Sequence, residues 1–502
     1  MLIKNFKKFK TEIVIFFFGI FSYFFLRLYN IMSLPIFTDE AIYTRWSQIA
    51  RYDANWRFIS LTDGKQPLFV WLDMVLMRFI PDPLLAGRLV SVLAGFFSMV
   101  GLFFLGREVF KNKWIGVISS GVYIIYPFAL VYDRMALYDS LVGVFTVWGL
   151  YLGILLVRKL RLDIALILGM VTGAGVLTKT SGFFNLYLSP FFLILFDWSK
   201  KERVKRFIKW LSLVVLAIFL TYGYYSVLRL SPFFHIISEK NTIFVYPFHD
   251  WLGHPFTFFF GNIKGISDWF ITYITWPFFM LIGISFFVPK FTKEKILLFL
   301  WFILPFTALA LFGRVLYPRF IFFMTLSLLP LIAFTIYQIY VRVKNKYLFA
   351  IILLLVSFLS FRADYYIVSD FAQAPIPEAD LGQYINDWPA GGGIKEAIAH
   401  LEDEAKKGKI YIASLGTFGS LPTYSVEIYL GDNKNVDKRG IFPVPTVVPK
   451  DLMEKAKKMP VYVLISNQRE FEEASKYWPL KLISEYKKGK GKSYTRLYKL
   501  QP

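Results

Sequence analysis

Apolar residues along this chain fall into long unbroken runs, not into the alternating or 3.6-residue patterns of a soluble fold. The first, IVIFFFGIFSYFFL, covers residues 13–26. A run of about 20 apolar residues spans the hydrocarbon core of a bilayer as a helix. By that rule the chain holds about eleven spans, near residues 12–32, 84–106, 114–132, 139–157, 162–178, 182–197, 210–229, 266–288, 295–312, 319–341 and 347–362. Beyond residue 362 the long runs stop, and the periodicity changes to that of short helices and strands.

The polar segments between runs are sorted by charge. Basic clusters occur at Lys4, Lys7, Lys8 and Lys10, at Arg107, Lys111 and Lys113, and at Arg158, Lys159 and Arg161. Further clusters lie at Lys200, Lys201, Arg203, Lys205, Arg206 and Lys209, at Lys290, Lys293 and Lys295, and at Arg342, Lys344 and Lys346. With the N-terminus inside, all of them fall on the cytoplasmic side, as the positive-inside rule requires. The opposite side receives the loop 33–83, the turns YDRMALYD and TKTSG, the loop 230–265, the turn GRVLYPR and everything after residue 362. The expected location is therefore the plasma (inner) membrane, multi-pass, with an extracytoplasmic C-terminal domain.

In the first outer loop, AIYTRWSQIARY sets Ile42, Trp46 and Ile49 opposite Arg45, Gln48 and Arg51, and QPLFVWLDMVLMRFI is too short and too charged to span. Both are predicted to be amphipathic helices lying in the membrane interface. After the spans, APIPEADLGQYINDWPAGGG is a Pro/Gly linker, predicted to act as a hinge. IKEAIAHLEDEAKKG, KDLMEKAKKM and QREFEEASKYW then predict helices, KIYIAS and PVYVLIS buried strands, and LKLISEYKKGKGKSYTRLYKL a closing hairpin. The domain plan is a transmembrane module over 1–362, a linker over 363–393 and a soluble α/β domain over 394–502.

Composition agrees with this plan. Of 502 residues, 56% are hydrophobic and 20% aromatic, more than a soluble surface could hide. The net charge of +22 is explained by the loops, so no nucleic acid partner is expected. With no cysteine, disulfides, thiolate metal sites and thiol nucleophiles are excluded. The N-terminus has the basic start and apolar core of a signal peptide, but no small-residue cleavage site follows, so it is expected to stay as the first span. The chain shows no internal repeat of the kind that builds inverted-repeat transporters.

Two acids, Asp39 and Glu40, stand side by side at the outer mouth of the first span. Carboxylates beside an apolar slab are costly unless paired or hydrated, so they point to function, although either could instead cap the helix that begins near Ala41. The other outer turns bring Asp133, Arg134 and Asp139, then Lys179, then Arg314, Tyr317 and Arg319, while Lys65 comes from the first loop. Each cation taken singly could simply snorkel to the interface. Gathered in one bundle, they would line a cavity at headgroup depth. Arg and Lys bind phosphate there by charge-assisted hydrogen bonds and stabilise it as a leaving group. A carboxylate would activate an attacking hydroxyl, with inversion. One base and several phosphate clamps are the minimal outfit for glycosyl transfer from a lipid-phosphate sugar. His249 and His254 flank Asp250, and His235 and His400 stand apart, so no three-ligand metal set is visible. No cofactor is required by this chemistry, with a divalent metal as the open alternative.

FTDEAIYTRW with GKQPLFVWLDMVLMRFIPDPLLAGRLVSVLAGFFSMVGLFFLGREVF resembles the N-terminal region of the GT-C glycosyltransferases. More narrowly it is similar to the protein O-mannosyltransferase and lipid A aminoarabinose transferase superfamily. DRMALYDS is similar to the mannosyltransferases' Arg-aromatic-aliphatic-Asp-Ser turn, GAGVLTKTSGFF to their Gly-rich segment ending in Thr-Lys, and LYPRFIFFMTLSLLPLIA to a later span of the bacterial transferases. The similarity covers roughly residues 12–200, and 300–340 more weakly.

The resemblance implies a GT-C-like polytopic α-helical fold and a roster of roles. Asp39 matches the catalytic acid of the first outer loop, Glu40 its usual neighbour, and Asp139 the second acid that organises the site. Lys65, Arg134 and Lys179 match basic positions near the donor phosphate, although the aminoarabinose motif has Lys-Pro-Pro where this chain has Lys65-Gln66-Pro67. Arg319 joins them by position. The expected partners are a polyprenyl-phosphate sugar donor, membrane lipid, and a glycan, lipid or protein acceptor. The mannosyltransferases' luminal trefoil domain is missing, which puts a protein acceptor in doubt, and the spans are fewer than in the aminoarabinose enzymes. A flippase of lipid-linked sugars and a non-catalytic envelope assembly factor are the alternative readings.

Overall fold

The computed structural model describes residues 2–415, 420–466 and 476–502, with side chains from residue 12 onward. Helix α1 (Leu2–Leu28) turns Phe16, Phe17, Phe18, Phe21 and Phe25 outward, the mark of a lipid-facing helix. Two helices, α2 (Thr38–Tyr52) and α3 (Leu68–Leu76), fill the first loop. They are followed by α4 (Pro83–Phe110), α5 (Lys113–Ile124), α6 (Pro127–Tyr132), α7 (Tyr138–Lys159), α8 (Leu162–Thr178), the short α9 (Phe184–Tyr187) and α10 (Arg203–Ser226). The second large loop carries α11 (Ile236–Phe244) and α12 (Phe248–Gly253). The bundle closes with α13 (Phe259–Ile274), α14 (Trp276–Phe286), α15 (Thr292–Phe312), α16 (Arg319–Thr325), α17 (Leu329–Arg342) and α18 (Lys346–Ser369).

The chain is a polytopic membrane protein. Among the described residues, six helical segments are long and apolar enough to cross a membrane, and the bent pair α13–α14 makes a seventh. The eleven predicted spans therefore do not map one to one onto straight helices. The run 114–132 breaks into α5 and α6 where Pro127, lacking an N–H, cannot continue the ladder. The run 182–197 is mostly 3-10 turns. The run 266–288 bends by 98° at Thr275, again just before a proline, Pro277. The span Pro318–Arg342 and helix α7 are the most buried, at 89% and 83% of their apolar windows, against 22% for α18.

The two ends of the bundle differ in character. At one end Arg158 ties the α4, α7 and α15 termini together, reaching Glu108 at 2.8 Å and Glu294 at 2.7 Å. At the other end lie Asp139 at the start of α7, Lys179 at the end of α8 and Arg319 at the start of α16. Arg158 and the candidate site residues thus occupy opposite ends of α7 and its neighbours.

Helix α2 does not lie on lipid. It is at least partly buried on every side, because its Arg45 donates to Glu427 at 2.7 Å and its Gln48 to the Ile428 carbonyl at 3.1 Å, both in the C-terminal domain. Its amphipathic pattern serves two protein partners, the bundle below and the soluble domain above.

That domain is a five-stranded sheet of order β2-β1-β3-β5-β4. Strands β1 (Ile410–Leu415) and β3 (Val461–Ile465) are buried at every position, which explains their unbroken apolar sequence. They run parallel, and β2 (Val436–Ile441) pairs parallel with β1. Strands β4 (Leu480–Lys487) and β5 (Tyr494–Leu500) form the predicted antiparallel hairpin. Strand β2, VDKRGI, escaped prediction because it is an edge strand with its charged middle in solvent. Among the helices, α20 (Ile394–Lys407) and α22 (Lys450–Ala456) fall where predicted, after the one-turn α19 (Glu378–Leu381), and α21 (Leu421–Leu430) is additional. The helix expected over QREFEEASKYW falls mostly outside the described residues.

The linker is a packed seam where a hinge was predicted, and α18 runs on to Ser369 before it begins. Phe37 and Ala390 form a β-bridge, and Thr38 donates to the Pro389 carbonyl through both its N–H (3.1 Å) and its hydroxyl (2.8 Å). A Cβ on Gly391 would lie 2.1 Å from the Ile36 carbonyl oxygen, so glycine is there for close approach.

Candidate active site

A cavity of about 410 Å³ opens at the Asp139 end of the bundle. Its lining is largely apolar, with Phe183, Phe184, Tyr187, Pro305, Leu309 and Phe312. It also carries the charged residues Lys65, Asp139, Lys179, Lys240 and Arg319.

The charges are arranged in pairs. Asp139, in the first turn of α7, accepts from Lys179 Nζ at 2.8 Å, and Lys179 caps the C-terminus of α8. Each residue therefore sits at the helix end whose dipole favours its charge. Asp39 lies in the first turn of α2 and meets the Arg319 guanidinium at 2.9 Å. Arg319 opens α16, where the dipole disfavours a cation, so Asp39 is what holds it, helped by the faces of Phe37 and Tyr317 at 5.6 and 5.1 Å. Lys240 of α11 meets Asp63 at 2.5 Å.

Lys65 is the exception. Among the described residues its ammonium has no carboxylate within ion-pair distance and lies 5.2 Å from the Phe244 ring centre. Burial pulls it below the usual lysine range. It is held forward by Gly64, at φ +66°, whose α-carbon lies so close to α11 that a Cβ there would sit 2.6 Å from Lys240 Cβ. Beside it a polar ladder runs from Gln66 Nε2 to Thr180 Oγ1 (2.9 Å) and on to Asn241 Oδ1 (3.4 Å).

Of the residues singled out from sequence, Lys65, Asp139, Lys179 and Arg319 line this cavity, and Asp39 joins it through Arg319. Asp39 and Lys179 therefore serve one end of the bundle. Glu40 does not line the cavity. It is fully buried, accepts from Arg88 Nε and Nη2 at 2.9 Å each, from the Ala136 N–H at 2.7 Å and from the Phe37 N–H at 3.0 Å. Its lone pairs are committed to joining α2, α4 and the turn before α7, with the Phe37 bond capping α2.

Arg134 is also displaced from its expected role. Its guanidinium donates to the carbonyls of Leu26 (2.8 Å), Arg27 (3.2 Å), Tyr29 (2.7 Å) and Asn30 (3.1 Å), closing the C-terminus of α1. Arg134 is not among the residues that line the cavity. Arg27 in turn is buried against Asp133 at 3.3 Å and neither snorkels nor reaches the cavity. Sequence reasoning missed Lys240, Asp63, Tyr43, Tyr138 and Asn241, because nothing local distinguishes them from other loop or helix residues. Among the described residues no three His, Asp or Glu converge as a metal site.

Residues 64–225 match the family model described as dolichyl-phosphate-mannose-protein mannosyltransferase. No curated protein matches the sequence. Among solved structures, ArnT from Cupriavidus metallidurans in the apo state superposes with a TM-score of 0.56 at 14% identity, covering 98% of both chains. The fold is GT-C. The same GT-C protein bound to undecaprenyl phosphate gives a TM-score of 0.57 at 14% identity, again over 98% of each chain. The archaeal oligosaccharyltransferase AglB from Archaeoglobus fulgidus, in complex with an inhibitory peptide and a dolichol-phosphate, gives 0.52 at 14% identity, over 95% of this chain and 73% of its own. The resemblance to GT-C proteins is thus borne out at the level of the fold.

Proposed function

We propose that the chain is a membrane glycosyltransferase that moves a sugar from a polyprenyl-phosphate donor to an acceptor hydroxyl at the extracytoplasmic face. The observation that carries this reading is the composition of one cavity: a lysine with no ion-pair partner among the described residues, three cation–carboxylate pairs, and lipid-compatible aromatics. Undecaprenyl phosphate and dolichol-phosphate bound to the two structural neighbours support a lipid-phosphate donor here.

In this reading the prenyl chain lies along Phe183, Phe184 and Phe312, and its phosphate meets Lys65 first, because that cation has no internal counter-ion to displace. Lys179 and Arg319 strengthen their hold as negative charge grows on the departing phosphate. The acceptor oxygen attacks the anomeric carbon from the face opposite the phosphate, its proton passes to Asp39, and the polyprenyl phosphate leaves as an anion. One bond forms and one breaks, with inversion. Arg319 holds Asp39 in place until the acceptor arrives, and Asp139 orients Lys179. Protein cations supply the charge stabilisation, so a chelator is expected to leave the rate unchanged.

The test uses purified protein in detergent with a synthetic polyprenyl-phosphate sugar and a panel of glycan, lipid and peptide acceptors. Asp39→Asn should abolish transfer while folding as wild type. Wild-type turnover by that variant would overturn the base assignment. Mass spectrometry of polyprenyl-phosphate sugars co-purifying with the protein would identify the sugar.

A further inference from the structure

A further carboxylate near this site comes from the linker. Asp380, fully buried, accepts from the Tyr132 hydroxyl of α6 at 2.7 Å and from the Tyr273 hydroxyl of α13, both at Oδ2, while Oδ1 has no partner among the described residues. The Tyr384 hydroxyl, four residues further along the linker, donates to Tyr132 at 3.2 Å. The Tyr384 ring meets Phe37 edge-on at 4.9 Å, and Phe37 is the ring beneath the Arg319 guanidinium. Phe37 also bridges Ala390, and its neighbour Thr38 is bonded to Pro389. An unbroken series of contacts thus runs from the linker carboxylate to the Arg319–Asp39 pair. Nothing in the mechanism above uses it.

We propose that Asp380 is a positioning residue for the reaction: through the tyrosine cluster and Phe37 it fixes the Arg319–Asp39 pair, so the linker of the C-terminal domain is a working part of the active site. This deepens the reading of Asp39 as the base and rests on it. The physical reason for an acid here is that one oxygen must hold two hydroxyls at once. A carboxylate binds such donors about twice as strongly as a neutral oxygen does. Burial pushes the Asp380 carboxyl up to about 6, against the lowering effect of Tyr273, Tyr132 and the Arg319 charge, with Asp139 adding to the rise. Tyr384 faces the same acid. The cluster therefore loosens as pH falls through about 6 and Asp380 gains a proton.

The test is the pH profile of kcat for wild type, Asp380→Asn and Asp380→Glu in the detergent transfer assay. Asp380→Asn should lower kcat roughly tenfold at neutral pH, leave both KM values within about twofold, and lose the acid limb near pH 6. Asp380→Glu should restore part of kcat together with the limb. A kcat for Asp380→Asn within about twofold of wild type, or a lowered kcat with the limb intact, overturns the proposal. Should Asp380→Asn fail to reach the membrane, Tyr384→Phe removes only the hydroxyl that reaches Tyr132. It should lower kcat roughly three- to tenfold, and wild-type turnover would overturn the proposal. Asp39→Asn, run alongside, separates the two claims: activity in that variant defeats the base assignment, while a limb lost in Asp380→Asn still supports positioning.

Discussion

Asp39 and Glu40 are adjacent in sequence, yet their substitution should fail in opposite ways. Glu40→Gln keeps the shape but replaces one carboxylate oxygen by an NH2 group. In the native site Oε1 receives Arg88 Nε and the Ala136 N–H, and Oε2 receives Arg88 Nη2 and the Phe37 N–H. Whichever way the amide turns, two buried donors face a third donor, and the Arg88 charge keeps one amide oxygen and the Ile31 and Pro35 carbonyls, at 2.6 and 3.4 Å, but loses its counter-charge. Breaking a buried ion pair from one side costs about 3–5 kcal/mol, a large part of the ~5–15 kcal/mol that holds a typical domain together. Thermal unfolding in detergent, followed by tryptophan fluorescence, should therefore show a clear fall in midpoint for Glu40→Gln and a smaller one for Asp39→Asn, whose pair with Arg319 is partly exposed. Well below its midpoint, Glu40→Gln should still transfer sugar, and Asp39→Asn should not. The double variant Glu40→Leu/Arg88→Met should recover most of the lost stability, because it leaves no buried charge unpaired. A Glu40→Gln protein that melts within about one degree of wild type would refute the reasoning.

Other substitutions sort the remaining roles. Lys65→Met should weaken donor binding, read as a rise in donor KM of about tenfold or more, in keeping with the loss of a charged hydrogen bond worth ~1.5–3 kcal/mol. Because burial lowers the Lys65 ammonium, wild-type donor binding should fall as pH rises, beginning below the ordinary lysine range, and Lys65→Arg should remove that basic limb. Arg134→Gln should lower the thermal midpoint, since it strips donors from four carbonyls at the end of α1, and leave donor KM unchanged. Gly64→Ala places a Cβ 2.6 Å from Lys240 Cβ at φ +66° and should cost ~1–3 kcal/mol of strain. Its donor KM should rise with that of Lys65→Met, because both displace the same ammonium.

Much of the plan could be read without coordinates. The membrane class and the sites of charge follow from local composition, because lipid admits only apolar surface and every backbone group must be satisfied within its own segment. Asp39, Lys65, Asp139, Lys179 and Arg319 were legible for a related reason: each is a charged residue at the end of an apolar run, where its presence is costly and so informative. The same signal misled at Glu40 and Arg134. A charge at a membrane end can face a cavity or be consumed inside the fold, and the choice depends on partners far away in sequence, Arg88 for the first and the α1 carbonyls for the second.

Tertiary structure alone decided the rest. The helix α2 looked interfacial because amphipathicity reports only that one face is apolar, not what covers the other. The linker looked mobile because glycine permits both freedom and close approach, and only the Ile36 and Pro389 contacts distinguish them. Asp380 and its three tyrosines come from three separate stretches of chain, with no local pattern to join them. Sequence determined which segments meet lipid and which charges stand at the boundary, since those are free energies of single residues against solvent. Pairing is an energy between residues, and only the folded chain brings the partners together.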